Sequence, residues 1–123
     1  MEGRPHQRFP KSARLRKRAE YLKVQEHGIK VQTKAFIGLV VPRPGTATRI
    51  GITTSKRLGK AVARNRTRRL VREAFRTGKL NLPNGLEIVV IARSASSFLT
   101  SEELFAELEL LGRRVRKLKE ISS

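Results

Sequence analysis

The sequence predicts an α/β protein in which helices are layered on a mostly antiparallel sheet. Three observations carry that reading. Between Thr54 and Arg76 the apolar residues recur at helical spacing, short β-branched or apolar runs lie on both sides of that stretch, and the chain closes on a leucine stripe. The order is helix, two or three strands, helix, strand, helix, which suits one layer of helices on one sheet. No internal repeat or second domain interrupts it.

Residues 1–14 read as a basic tail that stays disordered until it meets a partner, and residues 15–120 as a single domain. Arg18 to His27 makes a short first helix stopped by Gly28. Ile29 to Val31 forms a brief strand, followed by the apolar run Ala35 to Val41 and the β-branched run Arg49 to Thr54. The turn-rich PRPGTAT segment between the last two makes them an antiparallel hairpin with a loose loop. On one side of the 35–41 strand lie Phe36, Gly38 and Val40, and on the other Ala35, Ile37, Leu39 and Val41. If helices cover the second set, Phe36 lies on the open face. Glu87 to Ala92 is apolar on both faces, so it belongs inside a sheet. The last helix starts with capping chemistry at Thr100 or Ser101 and carries Leu104, Leu108 and Leu111 on one stripe.

The 123 residues hold 28 Lys and Arg against 10 acids, a net charge of +18 that draws phosphate backbones in a salt-dependent way. All ten acids are glutamates; there is no cysteine, and the histidines are His6 and His27. That inventory offers neither a zinc site nor a cluster of hard-metal carboxylates. Nor does it offer an acid, base and nucleophile in mutual reach, so no protein active site is expected. Gly59-Lys60 ends like a phosphate-binding loop, but Thr54 stands where that loop needs glycine and Ala61 where it needs Ser or Thr. No run reaches the length of a membrane span and no signal-peptide core opens the chain, so it reads as intracellular and without a membrane partner.

What remains is a binding surface, densest on the central helix. Counted from Arg64 at about 100° per residue, Ala63, Thr67, Leu70, Val71 and Ala74 fall within one arc, while Arg64, Asn65, Arg68, Arg69, Arg72 and Arg76 fall within the opposite one. Arg66 sits on the border. Like charges at i,i+4 destabilise an isolated helix by a few tenths of a kcal/mol per pair, so a polyanion partner is expected to offset them. Arginine suits that task because its guanidinium binds phosphate in bidentate fashion and stacks on bases. Tyr21 has two readings, a ring offered to an unstacked base or a plain packing residue.

Lys56-Arg57, Gly59-Lys60-Ala61-Val62 and Arg64-Asn65-Arg66 with Arg68-Arg69-Leu70 and Arg72 resemble the RNR signature of the bacterial ribonuclease P protein family. RLRKRAEYLKVQEHG and EIVVIAR resemble that family's first helix and last strand, and the likeness spans about residues 14 to 118. The resemblance implies a two-layer α+β sandwich of order αβββαβα, with a four-stranded sheet and a parallel last pair joined by the RNR helix in a left-handed crossover. It implies a cytoplasmic accessory subunit whose partners are a catalytic RNA and precursor tRNA, not DNA. The RNA subunit removes the 5′ leader by Mg²⁺-dependent phosphodiester hydrolysis, with Mg²⁺ held by RNA. By the same resemblance Lys56, Arg57, Lys60, Arg64, Asn65, Arg66, Arg68, Arg69 and Arg72 touch the RNA subunit. Tyr21, Gln25 and Phe36 fall to the leader cleft, although Gln25 and Leu39 stand where other members carry aromatics. A ribosomal or general structural RNA-binding protein is the alternative.

Overall fold

The run Leu86–Ala92 forms the strand on which the sheet is built. In the computed structural model, which describes residues 14–15, 18–54 and 59–118, it follows α1 (Arg18–His27), β1 (Ile29–Gln32), β2 (Phe36–Pro42), β3 (Arg49–Thr53) and α2 (Ala61–Arg76). As β4 it leads through a 3₁₀ turn (Ser94–Phe98) into α3 (Ser101–Arg116). The order αβββαβα is the expected one. The strand order across the sheet is β1-β2-β4-β3, with β1–β2 and β2–β4 antiparallel and β3–β4 parallel.

One sequence expectation fails here. β2 and β3 are not a hairpin, because β4 lies between them and bonds to both. A strand with Ile88, Val89 and Val90 all fully buried leaves no face for water and takes an interior position. β3 is displaced to the edge, and α2 supplies the crossover that a parallel pair requires.

The side on which helices pack is also the reverse of that expected. In register, Phe36, Gly38 and Val40 of β2 lie beside Ala92, Val90 and Ile88 of β4. This face is covered by α2 and α3, which bring Val71, Ala74, Leu104, Leu108, Leu111 and Val115 into one core with it. Gly38 allows the close approach: a Cβ there would stand 3.4 Å from Leu111 Cδ1 and 3.2 Å from Val31 Cγ2. The Glu107 carboxylate accepts the Ala35 N–H at 2.9 Å, and the Arg114 guanidinium donates to the Gln32 carbonyl, so α3 is pinned to the β1–β2 turn.

The other face carries Ile37, Leu39 and Val41 of β2, Glu87, Val89 and Ile91 of β4, and Arg49, Gly51 and Thr53 of β3. α1 covers part of it with Val24, forming a second, smaller core with Leu15 and Val89. Arg14, placed in the tail by its charge context, instead bridges Ile50 in parallel, and Leu15 N–H donates to the Ile50 carbonyl at 3.0 Å. The remainder of the tail, residues 1–13, lies outside the described residues, as do Lys56 and Arg57.

α2 ends as its sequence directs. Thr77 is its C-cap, and Gly78 follows at φ 81°, the left-handed conformation in which glycine has no Cβ penalty. α3 begins with a complete capping box: Thr100 Oγ1 accepts from Glu103 N–H at 3.1 Å, and Glu103 Oε1 accepts from Thr100 N–H at 2.8 Å. That backbone bond, with a smaller one from the Thr100 side chain, holds the Glu103 carboxyl below its ordinary value.

Candidate nucleic-acid interface

The inward residues of α2 are Thr67, Val71 and Ala74, with Leu70 and Phe75 partly buried against the same core. Thr67 can be buried because its hydroxyl donates to the Ala63 carbonyl at 3.1 Å. Burial of that stripe fixes the helix's rotation, so Asn65, Arg69 and Arg72 are exposed on the outer side and Arg64 and Arg68 half-exposed. The wheel read from sequence is therefore the wheel in the fold.

The outer arginines are not equivalent. Arg64 turns back to donate to the Gly59 carbonyl at 2.6 Å, and Arg76 pairs with Glu73 at 2.6 Å. Arg66, the border residue, donates to the Leu99 carbonyl at 2.7 Å and ties α2 to the segment after the 3₁₀ turn. Among the described residues, the side chains of Lys60, Asn65, Arg68 and Arg69 have no hydrogen-bond or ion-pair partner, whereas Arg72 has one. Unpaired like charges along one helix strip form a surface that gains from meeting phosphate.

The second candidate region is the groove beside α1. Tyr21 and Gln25 lie one turn apart, Gln25 exposed and Tyr21 half-buried. Tyr21 packs against the smaller core, and its hydroxyl edge lies over Gly51 so closely that a Cβ there would stand 2.8 Å from the ring. The glycine in β3 is thus the seat of this ring, and packing describes Tyr21 in the free protein. A cavity of about 210 Å³ adjoins it, lined by Arg14, Leu15, Tyr21, Ile50, Gly51, Ile52 and Arg72. Arg72 therefore links the α2 surface to the α1 side across the β3 edge.

Phe36 does not belong to this groove. It is fully buried in the main core, beneath α3, because it shares the Gly38 face. Its chain neighbour Ile37 lies on the α1 side, half-exposed, in register with Ile91 and Gln32, since adjacent strand residues alternate faces. Ile37, Ile91 and Thr53, all half-buried, make the incompletely covered part of this face.

The sequence reading missed what holds α1 in place. Glu87, 3% exposed, accepts from Arg43 and from Arg49 at 3.4 Å, and Arg49 also pairs with Glu20 of α1 at 2.7 Å and donates to the Arg14 carbonyl at 3.2 Å. A carboxylate at the start of an apolar strand was the available signal, since such a group is buried only when paired. The network is structural: its acids are committed to arginines.

Comparison with known proteins agrees with this geometry. The family model for ribonuclease P matches residues 9–116. The chain is 41% identical over 107 residues to the ribonuclease P protein component of Desulfatibacillum aliphaticivorans, covering 87% of this chain and 91% of that one. It is 44% identical over 104 residues to that of Chlamydia trachomatis, covering 81% and 86%. Among solved structures, the Staphylococcus aureus RNase P protein superposes with a TM-score of 0.78 at 30% identity, over 87% of this chain and 97% of its own. The Thermotoga maritima RNase P protein gives 0.73 at 34% identity, over 81% and 96%.

Proposed function

The chain belongs to the ribonuclease P protein family, and on that premise we propose that it positions a catalytic RNA and a precursor tRNA on two different surfaces. Membership makes it the accessory subunit of an endoribonuclease that processes tRNA. The finer assignment of surfaces rests chiefly on one observation: on the outer strip of α2 the exposed or half-exposed side chains of Arg68 and Arg69 have no partner among the described residues.

On this reading the catalytic RNA docks on Lys60, Asn65, Arg68, Arg69 and Arg72, with Lys56 and Arg57 continuing the strip by sequence. Arg64 and Arg66 contribute charge while their guanidinium groups also brace the backbone at Gly59 and Leu99. The 5′ leader runs along the α1 groove over Ile37 and Ile91, beside Gln25 and Tyr21. Leader contact is then largely aliphatic and polar, with Tyr21 available for stacking only by leaving Gly51. Two bound strands on one cationic body raise the local concentration of substrate at the ribozyme and lower their mutual repulsion.

Hydrolysis belongs to the RNA subunit, with Mg²⁺ as its cofactor. Among the described residues no group of three His, Cys, Asp or Glu side chains comes together that could hold a metal ion. No described helix is long and apolar enough to cross a membrane, and the site of action we assign is the cytoplasm.

The test is leader release at low Mg²⁺ from precursor tRNA mixed with the catalytic RNA, with and without the protein. Faster release with protein, and none from protein without RNA, is the expected result. Unchanged turnover despite RNA binding would point to a general RNA clamp instead, and cleavage by RNA-free protein would overturn the division of labour.

A further inference from the structure

Phe98 is 86% exposed and Val62 is 79% exposed, in a protein that otherwise spends its aromatic residues on packing. Phe36 is buried, and Tyr21, Phe75 and Phe105 are half-buried, so among the described residues Phe98 is the aromatic that faces water. Single exposed aliphatic residues are ordinary. A bare ring on a segment bonded to the cationic helix is not.

One bond joins the two segments that carry these residues. Arg66 donates to the Leu99 carbonyl at 2.7 Å; Val62 precedes Arg66 by one helical turn, and Phe98 precedes Leu99 by one residue. Asn65, Arg66 and Arg69 follow Val62 by three, four and seven residues, so they share its strip of α2. Glu73 follows Arg69 by four residues on the same strip and pairs with Arg76 at 2.6 Å, while Glu102 and Glu103 begin α3, where Glu103 is turned back onto the Thr100 N–H. The surface therefore combines an unhindered π-face with guanidinium and amide groups.

We infer that Phe98 is a stacking platform for an unpaired nucleotide of the catalytic RNA. The inference rests on the α2 strip being the RNA-subunit surface. Duplex RNA keeps its base faces stacked, so the chemistry selects a loop or bulged base whose phosphates reach Lys60 and Arg69. The leader is not the occupant, because α1 and its groove lie on the opposite face of the sheet. A second copy of the chain is disfavoured by its charge of +18.

The experiment measures binding of the full chain to the catalytic RNA over a KCl series for the native protein, Phe98→Ala, Phe98→Trp and Arg69→Ala. Stacking on one base predicts a loss of roughly 5- to 100-fold for Phe98→Ala with the salt slope unchanged, and near-native affinity for Phe98→Trp. Arg69→Ala lowers the slope by about 0.7 to 0.9, because it removes one phosphate contact. Native affinity for Phe98→Ala with a weakened Arg69→Ala refutes the platform and leaves the RNA surface standing. If neither variant changes binding, the α2 surface itself is wrong. Sedimentation showing a dimer that Phe98→Ala abolishes, at unchanged RNA affinity, assigns the ring to self-association and also refutes the platform.

Discussion

The two faces of the sheet solve different problems with the same strands. The face under α2 and α3 is dry, filled by Phe36, Val40, Ile88 and Val90 against leucines of α3, with the buried Thr67 hydroxyl satisfied within its own helix. The face under α1 is only partly covered. Its small core of Leu15, Val24 and Val89 adjoins the Glu20–Arg49–Glu87–Arg43 network, and Ile37 and Ile91 are left half-open. The first face specifies the fold through area and shape, whereas the second leaves room for a ligand and fixes one small helix by charge. The RNA contacts we propose lie where packing is incomplete, and on the outside of the helix that the dry face orients.

Removing Phe36 gives the sharpest contrast. Phe36→Ala should cost about 3–5 kcal/mol in chemical denaturation, the range for a buried aromatic, and should lower RNA affinity only as far as it unfolds the protein. A stable variant with weakened leader binding would return Phe36 to the cleft and reverse the two faces.

Glu87→Ala should be smaller, about 1–3 kcal/mol, because Arg43 can turn to water while Arg49 loses one of its two carboxylates. The loss should be accompanied by movement of α1, seen as altered Tyr21 fluorescence. An unshifted Tyr21 signal would mean that α1 is held without Glu87, by the Glu20–Arg49 pair and the smaller core.

Thr100→Ala tests the dry side at its rim and should cost about 1 kcal/mol, the usual value of an N-cap. The sign with pH follows from Glu103, whose carboxyl is lowered in the folded state. Its contribution is complete above the ordinary carboxyl value and is lost as pH falls through the lowered one. Acid titration of native and Glu103→Gln protein should therefore converge at low pH, and parallel curves would deny the Glu103 carboxylate that role.

How much of this could be read in advance depends on how local the signal is. The orientation of α2 was legible because its amphipathicity is carried entirely within Ala61–Arg76, and the capping box and the Gly78 stop are equally local. The orientation of β2 was not. AFIGLVV is apolar on both sides, so alternation separates Phe36 from Ile37 without saying which side helices cover. Insertion of β4 between β2 and β3 was hidden for a related reason, since neighbouring runs joined by turn residues look like a hairpin until a more apolar strand claims the interior. Within the candidate site, Arg68 and Arg69 were readable from the wheel. The bracing roles of Arg64 and Arg66 depend on carbonyl groups of Gly59 and Leu99 that only the fold brings near. Phe98 was hidden because a phenylalanine is by default assigned to a core.

The separation of a packing face from an RNA face on α2 is tested most directly by the Arg68→Ala, Arg69→Ala double variant. Its thermal stability should match the native protein within about 0.5 kcal/mol, as expected for surface positions away from caps and buried networks. Its binding to the catalytic RNA, followed against salt, should lose about 1.4 to 1.8 from the slope, the sum for two phosphate contacts. A native slope would show that these arginines face only water when RNA is bound.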